Sequence, residues 1–249
     1  MATRGEIEAY LNTLLDVGRF RDYGPNGLQV EGKPEVHRIV SGVTASRALI
    51  EAAVDWQADA VLVHHGLFWK GHDGRVTGWL KQRLELLLAH HINLFAYHLP
   101  LDAHPELGNN AQFGARFQWR ADAYFGDQGL GFIGTAAQPT TVPELGEALL
   151  RQLGRVPTIV PGDGRPLRRI AWCTGGAQGY FEAAIAAGAD AYVTGELSEP
   201  QAHYARETGV AFLACGHHAS ERYGAQAVAA HLADKFGLTH RFIEIDNPA

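Results

Sequence analysis

Cysteine is scarce in this sequence: the chain contains only Cys173 and Cys215, which are too few for a disulfide framework. The sequence also lacks any uninterrupted stretch of about 20 apolar residues, the length that a membrane-spanning helix requires. Lysine and arginine form no runs and the formal net charge is -6, which disfavours a nucleic-acid backbone or an anionic membrane as main partner. The first thirty residues carry charges throughout and include no signal-peptide core. These absences predict a cytoplasmic protein whose partner is a small molecule.

Several catalytic motifs are missing as well. There is no Gly-x-Ser-x-Gly elbow and no Gly-x-x-x-x-Gly-Lys phosphate loop, and neither cysteine has the flanking residues of a known thiol enzyme. The glycine-rich turn at residues 174–179 follows a predicted strand and opens a helix. Such a turn either cradles an anion through its backbone amides or is only a tight turn, and the sequence leaves both open.

The periodicity of apolar residues predicts an α/β fold. At 249 residues the chain exceeds the usual domain of about 100 to 150 residues, which predicts two lobes. A helix is expected over residues 3–18, followed by a strand, a helix and a strand within residues 36–65, and by a third strand at residues 92–97. This order implies right-handed crossovers and a mostly parallel sheet flanked by helices.

The same order of elements begins again after residue 164. A shift of 131 residues places Arg38 on Arg169 and aligns Ala58, Asp59 and Ala60 with residues 189–191. We therefore expect an internal duplication, with a first α/β lobe at residues 1–124 and a second at residues 125–249. The shift replaces two adjacent histidines of the first lobe by a glycine and a glutamate.

Those histidines, His64 and His65, stand at the end of an apolar strand. A buried strand needs no histidine at its tip, whereas the carboxyl ends of parallel strands are where α/β proteins bind ligands, and imidazole is the commonest metal ligand. Neighbouring side chains on a regular strand point to opposite faces, so the pair is not expected to hold a single ion. The alternative is that one histidine is a hydrogen-bonded core residue and the other is solvated.

Two further strands end in ligand-type residues at the same spacing. His98 precedes Asp102 by four positions, and His217 precedes Glu221 by four. On a helix His217 and Glu221 would share a face and could hold one ion. The alternative is that Ser220 caps the next helix and Glu221 supplies a favourable charge at its start. The candidate metal ligands at the ends of these three strands are His64, His65, Asp102, His217 and Glu221.

Three histidines and two carboxylates are ligands that suit Zn, Fe, Mn, Co or Ni. The absence of a thiolate ligand disfavours a closed structural zinc site. Five ligands for two divalent ions leave positions for a bridging water and a substrate, as in dinuclear hydrolytic centres. Asp102 and Glu221 are better suited than the histidines to bridge or pair the ions, because each has two oxygens. His98 is either a general acid or base beside the metal or a packed histidine. Five other histidines are assigned to surface or helix packing: His72, His90, His91, His203 and His231.

Taken together, these motifs resemble the family labelled GTP cyclohydrolase I type two, which includes the YbgI-like proteins. The resemblance rests on Asn26-Gly-Leu-Gln29, Val63-His-His-Gly66, Tyr97-His-Leu-Pro-Leu-Asp102, Thr194-Gly-Glu196, and Gly216-His217 through Glu221. It implies a dinuclear metal site held by the five residues above, in a cavity between two similar lobes, and assembly into a ring-shaped homohexamer. His218 stands where the family often has an aromatic residue.

Three functional hypotheses remain. The first is a dinuclear metal-dependent hydrolase acting on a nucleotide or a similar small heterocyclic or phosphorylated compound. The second is a non-catalytic metal-binding protein with a regulatory or assembly role. The third is a two-lobed binding protein whose histidines are structural.

Overall fold

The computed structural model describes residues 2–249. Ten α-helices and thirteen strands lie within this range. The helices are α1 Arg4–Leu14, α2 Arg47–Asp55, α3 Gly78–Ala89, α4 Leu99–Ala103, α5 Asn109–Arg116, α6 Val142–Leu153, α7 Phe181–Ala186, α8 Glu199–Thr208, α9 His217–Ser220 and α10 Arg222–Phe236. The strands are β1 Ala2–Thr3, β2 Gly27–Val30, β3 Glu35–Val36, β4 Arg38–Thr44, β5 Ala60–His65, β6 Asn93–Ala96, β7 Ala123–Phe125, β8 Gly131–Thr140, β9 Thr158–Val160, β10 Leu167–Trp172, β11 Ala191–Thr194, β12 Ala211–Ala214 and β13 Thr239–Phe242. No helix in the described part of the chain has the length and hydropathy needed to cross a membrane.

The chain divides into two compact units, one of residues 1–108 with 224–246 and one of residues 109–223 with 247–249. This division differs from the sequential boundary at residue 124 that the sequence suggests. The physical reason is α10, which buries Val228 and Leu232 in the core of the first unit, and β13, which pairs in parallel with β4. The last helix and strand therefore complete the unit that the first residues begin.

The sheet of the first unit has the order β13-β4-β5-β6-β2. All of its pairs are parallel except that of β2 with β6. Alternate side chains enter opposite cores, since Leu62 packs with α1 and α10 whereas Val61 and Val63 pack with α2 and α3. The helix expected near the start of the chain is present as α1, and the Thr3 hydroxyl accepts from the Glu6 amide in a capping box at its N-terminus.

The sheet of the second unit has the order β7-β8-β10-β11-β12-β9. Its centre, β10-β11-β12, is parallel, but β8 and β9 pair antiparallel with its two sides, so this sheet is mixed rather than mostly parallel. Helices α5 and α6 cover one face. Helix α6 begins at a capping box formed by Thr141 and Glu144 and ends at Gly154, which has a left-handed conformation.

Hydrogen bonds match the expected repeat. Asp59 Oδ2 accepts from the amides of His37 and Arg38 in the first unit, at 2.9 and 3.0 Å. Asp190 Oδ2 accepts from the amides of Arg168 and Arg169 in the second unit, both at 2.9 Å. Since every member of one set lies 131 residues from its counterpart, these contacts are consistent with a duplication of the strand, helix and strand unit.

Candidate metal centre

In the first unit, β5 ends with His64 and His65 between two parallel neighbours, β4 and β6. The side chain of His64 is fully buried, and its Nδ1 donates to the carbonyl oxygen of Tyr97 at 3.0 Å. His65 Nδ1 lies 3.1 Å from the Thr44 hydroxyl. The ring centroids of the two histidines are 4.5 Å apart. The expectation that they diverge to opposite faces therefore does not hold at this strand end.

His98 and Asp102 lie beside this pair, at the start of α4. One ring nitrogen from each of His64, His65 and His98 lies within 4.8 Å of the others, a spacing that suits a metal ion. The carboxylate of Asp102 is buried and faces the other nitrogen of His64, with Oδ1 3.5 Å from Nε2. Four side chains of the first unit that could bind metal therefore lie together at the carboxyl ends of β5 and β6: His64, His65, His98 and Asp102.

Asp22 is a member of this cluster that the sequence analysis missed. Its Oδ1 accepts from His98 Nδ1 at 2.6 Å, and its Oδ2 accepts from the Asn26 side chain and the Leu99 amide. Burial alone would raise the pKa of Asp22, but the hydrogen bond and charge of His98, with the bonds from Asn26 and the Tyr23 amide, lower it to about 2. The contact joins residues 76 positions apart, and no local pattern signals it.

The Asn26 to Gln29 segment holds the histidine loops in place. Asn26 Oδ1 accepts from the His98 amide at 2.7 Å, and Gln29 Oε1 accepts from the Leu67 amide at 2.8 Å. A Cβ on Gly66 would lie 2.2 Å from that same Oε1, so a larger residue after the histidine pair would displace the Gln29 side chain from the Leu67 amide. Asn26 and Gln29, which belong to the motifs of the family resemblance, therefore position the backbone that carries the histidines.

In the second unit, His217 opens α9 and Glu221 follows its last residue. His217 Nε2 lies 3.2 Å from Glu221 Oε2, as the four-residue spacing predicts, and Glu221 is buried. His217 Nδ1 donates to Glu196 Oε1 at 2.6 Å. Burial alone would lower the pKa of His217, but the hydrogen bonds and charges of Glu221 and Glu196 raise it to about 9. Metal binding at neutral pH would therefore displace a proton from this ring.

The glycine-rich turn at residues 174–179 serves these side chains. A Cβ on Gly175 would lie 1.9 Å from Glu221 Oε1, and one on Gly176 would lie 3.4 Å from the His217 ring. The Gly175 amide donates to Ser220 Oγ at 2.9 Å. The turn thus packs directly against His217 and Glu221, and Ser220 anchors it rather than capping a helix.

The pair His98 and Asp102 and the pair His217 and Glu221 do not occupy equivalent positions in the two repeats, as the register of the strands shows. Asn93 of β6 and Ala211 of β12 occupy matched positions, because their partners Ala60 and Ala191 differ by 131. Counting from those positions places His98 opposite Gly216, so His217 falls one residue later. The contacts differ accordingly: His217 faces Glu221, whereas His98 is held by Asp22.

The donor geometry fits divalent metal ions. Two ligands that each lie about 2.1 Å from one ion are roughly 3.0 to 3.4 Å apart in octahedral or tetrahedral coordination. The facing atoms of His64 and Asp102 are 3.5 Å apart, and those of His217 and Glu221 are 3.2 Å apart. In each case the opposite ring nitrogen donates to an oxygen, an arrangement typical of metal-ligating histidines.

Two of the histidines assigned to packing make contacts away from this cluster. His203 pairs with Glu199 on the exposed face of α8, at 2.8 Å. His231 lies 2.6 Å from the Tyr10 hydroxyl. Both contacts agree with the assignment of these residues to surface or helix packing.

Comparison with known proteins assigns the chain to a family. The model of the family described as Duf34/NIF3 (NGG1p interacting factor 3) matches residues 2–248. The chain belongs to the DUF34/NIF3 family. The resemblance noted in the sequence is confirmed, because relatives named GTP cyclohydrolase 1 type 2 homolog and the solved ybgI structure also match the chain.

Relatives of this DUF34/NIF3 chain match it over nearly its full length. A protein named GTP cyclohydrolase 1 type 2 homolog from Pseudomonas aeruginosa is 52% identical over 238 residues, 94% of each chain. The solved structure titled protein ybgI, unknown function, is 46% identical, with a TM-score of 0.96 over 99% of this chain and 100% of that one. The structure of TTHA1606 from Thermus thermophilus is 33% identical, with a TM-score of 0.91 over 99% and 100%.

Proposed function

We propose that this DUF34/NIF3 protein is a metal-dependent hydrolase in which His64, His65, Asp102, His217 and Glu221 hold two divalent ions. The observation that carries the proposal is that an imidazole Nε2 faces a buried carboxylate in each unit, at 3.5 and 3.2 Å. Two such pairs provide for two ions, and five ligands leave open positions for water and substrate.

The donor set indicates which metals suit the site. Imidazole and carboxylate donors favour Zn, Fe, Mn, Co or Ni. Both cysteines are buried, and burial raises the pKa of Cys215 to about 12, so a thiolate at this position is strongly disfavoured. The set therefore matches a catalytic centre with open coordination better than a closed structural zinc site.

The chemistry that bound ions supply is activation of water and polarisation of the bond under attack. His98 is the residue we assign to proton transfer. Because a carboxylate only accepts hydrogen bonds, Asp22 fixes the proton of His98 on Nδ1, and Nε2 is the atom that takes up or releases a proton. The rings of Trp69 and Tyr23 lie 5.0 and 6.1 Å from that of His98 and contact it edge-on.

The substrate class that we propose is a nucleotide or a similar small heterocyclic or phosphorylated compound, in the cytoplasm. The support is the name of the relatives, GTP cyclohydrolase 1 type 2 homolog, together with a metal-centred site. We further propose assembly as a homohexamer, which sedimentation of the untagged protein checks; a monomer would contradict it.

The test begins with metal analysis of untagged protein beside the His65→Ala and Glu221→Ala variants. We expect about two ions per chain in the wild type, fewer in both variants, and loss of turnover in a nucleotide and phosphate-ester screen. His203→Ala is the matched control, because this exposed histidine also pairs with a carboxylate but lies on the surface of α8. His98→Ala should lose turnover and keep its metal.

Three outcomes are decisive. Metal-free protein that keeps full activity would contradict the mechanism. Protein that holds two ions and turns over nothing in the screen would favour the non-catalytic, regulatory or assembly alternative. Little metal even after reconstitution would mean that the strand-end histidines are structural.

A further inference from the structure

Glu196 contacts His217, the candidate metal-binding histidine of the second unit, at the ring nitrogen that points away from Glu221. Its Oε1 is 2.6 Å from His217 Nδ1, and His217 Nε2 is the nitrogen that faces Glu221. A carboxylate can only accept a hydrogen bond, so this contact places the ring proton on Nδ1. When an ion replaces the second ring proton at Nε2, this contact keeps the remaining proton on Nδ1 and leaves the Nε2 lone pair for the ion, on the side of the ring that faces Glu221.

The backbone is built for this approach. Glu196 follows β11 by two residues, and a Cβ on the intervening Gly195 would lie 2.6 Å from the Cα of His217. Since backbone atoms cannot yield as a flexible side chain can, only glycine allows the end of β11 to come so close to the start of α9. The Thr-Gly-Glu segment thus brings a carboxylate to the back of the imidazole.

Glu196 is itself held in place. Gln178 donates from Nε2 to Glu196 Oε2 at 3.1 Å, and the same amide lies 3.4 Å from Ser198 Oγ. One carboxylate oxygen therefore contacts His217 while the other contacts the Gln178 amide. This bracing restricts rotation of a side chain that is otherwise 43% exposed.

The position also excludes Glu196 from sharing the ion at His217 Nε2. The two nitrogens of an imidazole point away from each other, so an ion bound to Nε2 lies on the opposite side of the ring from a carboxylate that bonds Nδ1. A carboxylate in this place orients the ring and increases its basicity, and loss of such a partner typically costs about 10- to 100-fold in metal affinity.

We propose that Glu196 is a positioning residue that fixes the tautomer and orientation of His217 as a metal ligand. The inference rests on the metal centre of the proposed function, but not on hydrolysis. It assigns a role to the position that replaces His65 in the internal repeat: the first unit has a ligand there, and the second has the carboxylate that orients one.

The experiment measures the affinity for Zn²⁺ alone, by competition with a chromophoric chelator, in full-length Glu196→Ala, Glu196→Gln and Glu199→Ala proteins. Glu199 is the matched control, because it also bonds a histidine nitrogen and carries the same charge, but on the exposed face of α8. We expect affinity for one ion to fall about 10- to 100-fold in Glu196→Ala. Glu196→Gln, whose amide oxygen still accepts from Nδ1, should recover part of the loss, and Glu199→Ala should bind as the wild type does.

A second readout separates positioning from general stability. The ¹⁵N shifts of His217 in the Zn²⁺-loaded proteins report which ring nitrogen binds the ion; we expect Nε2 alone in the wild type and a mixture of Nε2 and Nδ1 in Glu196→Ala. Melting temperatures should stay close together. Unchanged Zn²⁺ affinity in Glu196→Ala, or equal losses in Glu196→Ala and Glu199→Ala, would overturn the inference. Wild-type protein that binds no Zn²⁺ would overturn the metal centre as well, whereas binding without turnover would contradict hydrolysis alone.

Discussion

At the scale of single residues, the histidines of the candidate centre are held by acceptors on their Nδ1 side. Tyr97 supplies a carbonyl oxygen to His64, Asp22 a carboxylate to His98, and Glu196 a carboxylate to His217. The ligand-type residues could be found in the sequence because they end predicted strands. Their partners could not, since nothing about an isolated aspartate or glutamate indicates which distant ring it meets.

Asp22→Ala should destabilise the first unit by about 3 kcal/mol, because it removes a buried carboxylate that accepts from donors of His98, Leu99 and Asn26. Urea unfolding measures the change in the free energy of unfolding. Asp73→Ala is the control, since Asp73 pairs with Arg75 on the surface, and it should change the free energy by less than about 0.5 kcal/mol.

The same residue predicts a pH dependence. The pKa of Asp22 is about 2 in the folded chain and 3.8 ordinarily, so its contribution to stability is present above about pH 4 and is lost as the pH falls towards 2. Wild-type protein should therefore lose more stability than Asp22→Ala across this interval. Parallel acid sensitivity of the two proteins would contradict the prediction.

At the scale of elements, the strand, helix and strand unit occurs twice. In both copies an aspartate stands directly before the second strand and accepts hydrogen bonds from backbone amides near the start of the first. Asp59 and Asp190 each accept from two successive amides within the first three residues of the first strand or directly before it. The Ala-Asp-Ala identity indicated the repeat in the sequence. The antiparallel edges of the second sheet were not indicated, because β8 and β9 owe their places to pairing with distant strands.

We expect Asp59 to contribute more than Asp190 to the free energy of unfolding. Asp59 also accepts from Lys33 Nζ at 2.6 Å. Burial would raise the pKa of Asp59, but the bonds from Lys33 and the two amides lower it, so its contribution is lost as the pH falls below the ordinary range. We expect Asp59→Ala to cost about 3 kcal/mol and Asp190→Ala about 1.5 kcal/mol.

Native-state hydrogen exchange resolves each unit separately and is the suitable measurement for this pair. The amides of the first unit should lose protection in Asp59→Ala, and those of the second in Asp190→Ala. A larger loss for Asp190→Ala than for Asp59→Ala would contradict the expected order.

At the scale of the whole molecule, neither compact unit is a single continuous stretch of the chain. The first unit needs α10 and β13 from the end of the chain, which supply Val228 and Leu232 to its core and an outer strand to its sheet. A protein of residues 1–124 should therefore fail to fold cooperatively. Residues 1–108 joined by a short linker to 224–246 should fold.

Circular dichroism and the dispersion of amide resonances distinguish these two proteins. The joined protein serves as the positive control, because it contains every residue of the first unit. A dispersed spectrum and a sharp urea transition from residues 1–124 would show that the sequential lobe is sufficient by itself.

The sequence by itself determined the α/β class, the internal repeat and the residues that could bind metal. These features follow from local periodicity and from the residue types at strand ends, which are readable one segment at a time. Only the tertiary structure decided that His64 and His65 lie side by side, that Asp22 and Glu196 stand behind His98 and His217, and that the last helix joins the first unit. Each of these depends on contacts between segments far apart in the chain, which are fixed by packing and hydrogen bonding rather than by local pattern.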